Sequence, residues 1–168
     1  MTQEQLFERV CADHLPLIRG IARAYERDDF LAEQLEQDIL LAVWRALAKL
    51  QDPNTLRAYV ARIAQNRAAT HVCVAARQPK GSGDEALERL ADEAPSALEQ
   101  VDADQRRSLL QRCLARLAPT LQRVAVLALE GLGNTEIANA LGERANTVTV
   151  KLRRSRLQLT RCVESTGK

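Results

Sequence analysis

The sequence predicts an all-α protein made of two small helical bundles joined by a flexible acidic linker. Apolar residues make up 46% of the chain and charged residues 27%, a balance typical of folded domains. Seven glycines and five prolines are too few for a turn-rich sheet architecture. Apolar residues recur every three or four positions on both sides of residues 78–104, which lack that pattern. We therefore expect one bundle in residues 1–77 and a second in residues 105–168.

The N-terminal bundle is predicted from three stretches of helical spacing. In residues 6–25 apolar positions recur at that spacing, but Pro16 should interrupt the helix. The longest regular stripe covers residues 31–50 and predicts one amphipathic helix that stops before Pro53. A further helix is expected to open after Pro53 and to reach about Val74.

The charge is unevenly distributed along the chain, although the formal net charge is only +2. Residues 1–75 carry −1, residues 76–104 carry −5, and residues 105–168 carry +8. A basic C-terminal third behind an acidic tether is typical of a nucleic-acid-binding module. An Arg-rich helical surface without a ligand would give the same totals, so charge alone does not decide.

No enzymatic or metal site is indicated. The sequence lacks a carboxylate pair, a nucleophile with a base, and a phosphate-binding glycine loop, so we expect no catalytic residue, cofactor or metal. The four cysteines, Cys11, Cys73, Cys113 and Cys162, are far apart and are expected to be small buried apolar residues without a disulfide. The longest apolar stretch, residues 39–44, is far short of a membrane span, which favours a cytoplasmic protein without membrane contact of its own.

A helix-turn-helix is predicted in the C-terminal third. Gly131 and Gly133 should end one helix, and Asn134 or Thr135 can cap the next. That helix is short and ends near residue 141, where Gly142 supplies a tight turn. A second helix should start near residues 144–146 and run to about residue 162.

The second helix of this motif should have one packed face and one exposed face. At about 100° per residue, Val148, Leu152, Ser155 and Leu159 fall together and should pack on the first helix. The opposite face would then enter the major groove of duplex DNA. It carries Asn146, Thr147, Thr149, Val150, Lys151, Arg153, Arg154 and Arg156.

Side-chain chemistry assigns roles on this face. Arg153 is suited to a bidentate contact with guanine, Asn146 to a base or a phosphate, and Val150 to a thymine methyl group. The other cations, Lys151, Arg154 and Arg156, are suited to phosphates, which gives affinity and salt dependence rather than sequence preference. A helical hairpin with a solvated basic face is the alternative interpretation.

Five strings of the sequence resemble extracytoplasmic-function sigma factors. LARLAP (114–119), EGLGNTEIANALG (130–142) and NTVTVKLRRSR (146–156) resemble region four of that family. AEQLEQDILLAVW (32–44) and LRAYVARIAQN (56–66) resemble its region two. The resemblance covers nearly the whole chain in the family's order.

The resemblance implies a dissociable subunit that brings core RNA polymerase to promoter DNA. Region four would read the upstream element as duplex, while region two would capture the melted downstream element and hold the polymerase. By position, the polymerase contacts would be Glu33, Gln37 and Asp38. The contacts to the melted strand would be Arg62, Asn66 and Arg67.

The resemblance also implies an anti-sigma factor that blocks the two bundles. We expect the flexibility of the linker to let both bundles clasp such a partner or spread along polymerase. The acidic residues of the linker either occupy a basic nucleic-acid path in polymerase or are merely solvated.

Four positions depart from the family's pattern. Gln34 stands where an Asp is usual, and Thr70 stands where a carboxylate or amide is frequent. Thr149 and Val150 replace basic or Ser residues, so the promoter sequence cannot be borrowed from a relative. A conventional helix-turn-helix regulator with a ligand-sensing or dimerising N-terminal bundle is the competing hypothesis, and a helical adaptor is a third.

Overall fold

A computed structural model of the chain describes residues 1–77 and 98–166, and nearly all of these are helical. The helices follow one another as α1 (Gln3–Asp13), α2 (Leu15–Tyr25), α3 (Asp29–Leu47), α4 (Leu56–Arg77), α5 (Leu98–Arg116), α6 (Pro119–Leu129), α7 (Asn134–Leu141) and α8 (Ala145–Thr166). A short 3-10 helix, Pro53–Thr55, precedes α4. The all-α prediction is confirmed, while residues 78–97 of the predicted linker lie outside the described residues.

Local chemistry sets the ends of the N-terminal helices. Thr2 caps α1 reciprocally with Gln5, since each side chain accepts a hydrogen bond from the other residue's backbone. Pro16 lies in the first turn of α2, where its missing N–H costs nothing, so the expected break falls between Asp13 and Leu15. Asp28 caps α3 by accepting from the Leu31 amide.

The apolar stripes of α1 to α4 meet in one core. Buried residues from three helices fill its centre: Ile18, Ile21, Ile39, Val43, Leu47, Val60 and Ala64. Trp44 packs edge-on against Phe7, with ring centroids 5.3 Å apart, and Tyr59 donates a hydrogen bond to the Ala46 carbonyl. Trp44 and Tyr59 therefore both pack within the N-terminal bundle.

The C-terminal domain consists of α5 to α8. Val124, Leu127, Ile137 and Val148 are fully buried between its helices. Helix α5 begins at Leu98, which is earlier than the helical spacing from Leu109 onward predicts.

The cysteines contradict the expectation drawn from the sequence. Cys113 in α5 and Cys162 in α8 form a disulfide, and their Cα atoms are 5.8 Å apart. Cys11 and Cys73 are exposed free thiols instead of buried apolar residues. The pair is separated by 49 residues, so only the packing of α8 on α5 brings it together.

The two domains pack against each other, and their buried residues form one continuous cluster. Two hydrogen-bonded contacts lie between α4 and the C-terminal domain. Arg57 is 3.3 Å from the Glu136 carboxylate, and the buried Gln65 amide donates to the Arg123 carbonyl at 3.2 Å. Gln111 of α5 also donates to the Arg23 carbonyl in α2.

Gly20 and Tyr25 of α2 complete this domain interface. A Cβ atom on Gly20 would lie 1.7 Å from Glu130 Oε1, so the absent side chain makes room for that carboxylate. The Tyr25 hydroxyl donates to Gln65 Oε1 at 2.6 Å, and burial raises the pKa of Tyr25 to about 12. The hydroxyl therefore stays protonated and remains a donor at neutral pH.

Candidate nucleic-acid interface

The first helix of the helix-turn-helix, α7, begins differently from the prediction. Gly133 is its N-cap residue, and the Glu136 side chain accepts from the Gly133 amide at 3.3 Å. The prediction that Asn134 or Thr135 caps this helix is wrong, because both residues lie inside it. The Asn134 amide donates instead to the Thr149 hydroxyl at 3.1 Å, which links α7 to α8.

The turn and the packed face of α8 agree with the prediction. Gly142 has φ +69°, the left-handed region that glycine adopts without a steric penalty. Val148, Leu152 and Ser155 are buried, and Leu159 packs at the edge of the core. The Ser155 hydroxyl donates to the Lys151 carbonyl at 2.8 Å and also lies 3.1 Å from the Leu121 carbonyl, so this buried polar group is satisfied.

Seven of the eight residues expected in the groove are exposed on the opposite face of α8. They are Asn146, Thr147, Thr149, Val150, Arg153, Arg154 and Arg156. Val150 is 50% exposed although it is apolar, which suits contact with an apolar base atom. The face therefore offers hydrogen-bonding, apolar and cationic groups together.

Lys151 is the exception among the eight residues. Its ammonium group pairs with the carboxylate of Glu143, which precedes α8, and both side chains are mostly buried. The sequence predicts that Lys151 contacts a phosphate. In the structure its charge is instead neutralised by Glu143. Periodicity cannot reveal this pair, since Glu143 lies in the turn before α8.

A shallow groove extends the exposed face toward the end of α8. Arg153 and Arg156 line it together with Leu157 and Arg161, which sequence reasoning did not select. Leu157 is 54% exposed. Their spacing along α8 could have suggested them, because Leu157 and Arg161 continue the row that starts at Arg153.

The residues predicted to hold a melted strand lie on α4. Arg62 and Asn66 are exposed one turn apart on the same face. Arg67 is partly buried, and its guanidinium is 3.8 Å from the Asp38 carboxylate. The structure thus pairs Arg67, which was predicted to contact DNA, with Asp38, which was predicted to contact polymerase. Among the described residues, the other two predicted strand contacts, Arg62 and Asn66, make no such ion pair.

The predicted polymerase contacts on α3 border a polar groove between α2 and α3. Glu33 and Gln37 are exposed and line it, together with Phe30, which is 66% exposed. Arg19 donates to the buried Glu36 carboxylate at 2.9 Å and ties the two helices together. Asp38 lies on the neighbouring side of α3, where it meets Arg67.

Within residues 1–77 and 98–166 no helix is both long enough and apolar enough to cross a membrane. Among the same residues, His, Cys, Asp and Glu side chains form no group of three that could hold a metal ion.

A comparison with protein families finds a match in the N-terminal part of this chain. Residues 11–77 match the model of sigma-70 region 2. The N-terminal part of the chain therefore carries a sigma-70 region 2 domain. The match covers α2 to α4 and the last three residues of α1, so the resemblance to region two expected from strings 32–44 and 56–66 is confirmed.

A curated relative supports this assignment. The probable RNA polymerase sigma factor RfaY of Xanthomonas campestris pv. campestris is 25% identical over 156 residues, which are 91% of this chain. The chain spans 39% of the length of that relative.

Two solved structures share the fold over nearly the whole chain. CnrH in complex with the cytosolic domain of CnrY gives a TM-score of 0.69 at 21% identity and covers 98% of this chain and 90% of CnrH. The sigma factor RpoE of Bartonella quintana, in complex with the anti-sigma factor NepR, gives 0.69 at 18% identity and covers 94% of this chain and 96% of RpoE. At these identities the two structures show a shared fold.

Proposed function

We propose that this chain is an extracytoplasmic-function sigma factor that binds core RNA polymerase and directs promoter-specific transcription initiation. The observation that carries the proposal is the exposed face of α8 on a chain whose other domain is sigma-70 region 2. The C-terminal domain reads the upstream promoter element as duplex, with Arg153, Asn146 and Val150 on bases. Arg154 and Arg156 contact phosphates, which makes binding salt-dependent.

The N-terminal domain captures the melted downstream element and the polymerase clamp. Arg62 and Asn66 present a cation and an amide to the unpaired strand. Glu33 and Gln37, beside the exposed Phe30, form the polymerase contact, and Asp38 holds Arg67 at its edge. The protein acts as a non-enzymatic specificity subunit in the cytoplasm, where polymerase works.

Regulation by an anti-sigma factor follows from the same assignment. The related fold of RpoE is solved with the anti-sigma factor NepR. We propose a partner of that class for this chain, which keeps the domains from engaging polymerase.

The decisive experiment mixes the purified chain with core RNA polymerase. Co-elution on size exclusion and run-off transcription from a promoter mapped after overexpression are the expected results. Glu33→Lys should weaken co-elution, whereas Glu4→Lys, on an exposed part of α1, serves as the charge-matched control. If the chain binds DNA but neither co-elutes with core polymerase nor directs run-off transcription, it is instead a conventional helix-turn-helix regulator.

A further inference from the structure

The Cys113–Cys162 disulfide joins two sulfur atoms in different environments. Cys113 is 1% exposed within α5, whereas Cys162 is partly exposed on α8. A dissolved reagent therefore reaches Cys162 first. In a reducing compartment a disulfide of this kind is usually transient and redox-sensing.

Arg116 is placed to activate the accessible sulfur. Its guanidinium Nη1 lies 3.8 Å from Cys162 Sγ. Arg116 and Cys113 are three residues apart on α5 and share one face, so Cys162 rests against both. A neighbouring guanidinium favours the thiolate over the thiol, and the thiolate is the nucleophile.

We propose that Cys113 and Cys162 form a reversible redox clasp with Cys162 as the reacting sulfur and Cys113 as the resolving sulfur. This modification site is additional to promoter recognition and does not rest on it. The oxidant is hydrogen peroxide. The Cys162 thiolate attacks one peroxide oxygen, the O–O bond breaks, and a sulfenic acid and hydroxide form.

The second step closes the clasp. The Cys113 sulfur attacks the sulfenic sulfur, its proton joins the leaving hydroxide, and water departs as the S–S bond forms. Two thiols and one peroxide thus give one disulfide and two waters. A dithiol reductant returns both sulfurs to thiols by exchange.

The position of the clasp determines what it controls. The fully buried anchors of α8 among the described residues end at Ser155, and Leu159 is only partly buried. The turns beyond Leu159 are therefore fastened to α5 chiefly by Cys162. Reduction frees the end of α8 and leaves residues 146–153 on their buried anchors.

The bond also closes a loop of 49 residues, which restricts the unfolded chain. We expect reduction to lower the thermal midpoint of the C-terminal domain by about 10 °C or more.

The test uses the full chain carrying Cys11→Ser and Cys73→Ser, which removes the two exposed thiols. A maleimide mass-shift assay should count two thiols after dithiothreitol and none after subsequent hydrogen peroxide, with the chain still a monomer. In the same background, Arg116→Gln should slow this oxidation several-fold at fixed pH. Arg112→Gln, an exposed arginine on the same helix, should leave the rate unchanged.

Several outcomes would overturn the clasp. They are thiols that persist in peroxide, disulfides between chains on a non-reducing gel, and equal oxidation rates for the two arginine variants. Circular dichroism of the reduced chain provides a further check. Retention of helical signal with a lowered midpoint supports the clasp, whereas global loss of helix at 25 °C would mean that the bond is a permanent structural element.

Discussion

Arg153 and Arg154 are adjacent in the sequence and differ in what surrounds them. Arg153 lines the groove that also contains Asn134 and Thr149, while Arg154 lies outside it. Both side chains are exposed. A cation beside fixed polar neighbours is suited to a directional base contact, and an isolated one is suited to a phosphate.

Replacing these two arginines one at a time should separate sequence readout from general affinity. Arg153→Ala should cost about 1–3 kcal/mol on the preferred promoter duplex and weaken discrimination against altered sites. Arg154→Ala should weaken all duplexes similarly and reduce the salt slope by about 1. Fluorescence anisotropy with matched and mutated duplexes at several salt concentrations measures both. Equal effects of the two variants on discrimination would contradict the assignment.

Residue roles on α8 follow from the sequence only where they depend on the period of the helix. Exposure of Val150 and burial of Val148 are consequences of 3.6 residues per turn. The pairing of Lys151 with Glu143 depends on the path of the turn, and that of Arg67 with Asp38 depends on how α4 packs on α3. Charge and spacing in the sequence therefore do not predict these two ion pairs.

At the scale of elements, the turn between α7 and α8 holds the two helices of the motif at a fixed angle. Gly142 ends α7 with φ +69°, and its amide bonds to the Ala138 carbonyl. The chain then enters α8 at Ala145. Since a Cβ atom is disfavoured in this backbone region, the glycine contributes directly to the geometry of the motif.

Substitutions at Gly142 should rank by their tolerance of the left-handed conformation. Gly142→Ala should destabilise the C-terminal domain by about 1–2 kcal/mol. Gly142→Asn should cost less, because asparagine adopts positive φ more readily. Among the described residues no heavy atom beyond the chain neighbours lies within 4 Å of the added Cβ, so the cost is conformational and not steric crowding. Urea unfolding of both variants provides the comparison, and equal losses would contradict this explanation.

Helix boundaries in this chain were predictable where proline or glycine decides them. Pro16 and Gly142 act through their own backbone, so the sequence identifies them. The cap of α7 was not predictable in the same way, since Glu136 bonds back to Gly133 in place of a Ser, Thr or Asn cap. The disulfide was missed because no local motif marks a pair 49 residues apart.

For the whole molecule, the main difference from expectation is the contact between domains. The sequence predicts two bundles on a tether, whereas in the structure α4 meets α7 and the carbonyl of Arg123. Arg57, Gln65, Gln111 and Glu130 make this contact from three separate segments: α4, α5 and the residue after α6. Scattered polar residues of this kind form no periodic pattern, so the sequence does not predict the contact between the domains.

Reversing the charge of Arg57 should separate the domains. The native pair is about two-fifths exposed on each side, so it contributes at most about 1 kcal/mol. Arg57→Glu would place two carboxylates together and add repulsion. We expect a larger radius of gyration by small-angle X-ray scattering at low salt. Arg62→Glu, an exposed position on the same helix, should leave the radius unchanged.

The same interface should respond to pH through Glu130. Burial raises the pKa of Glu130 above the ordinary value of 4.5, so the folded chain binds its proton more tightly than the unfolded chain. The resulting stabilisation is full below pH 4.5 and is lost as pH rises through the raised pKa. Glu130→Gln should therefore match the native free energy of unfolding at low pH and exceed it at pH 7. Urea unfolding across this range tests the sign.

Because Gln65 and Arg123 belong to one polypeptide, the contact between them forms in a unimolecular step. Covalent connection gives two domains an effective concentration in the millimolar range, so individually weak bonds suffice to hold them. If residues 1–77 and 98–168 were produced as separate polypeptides and mixed at micromolar concentration, the hydrogen bond from Gln65 to the Arg123 carbonyl would be largely lost. A single cut between the domains would thus convert a concentration-independent contact into a bimolecular one.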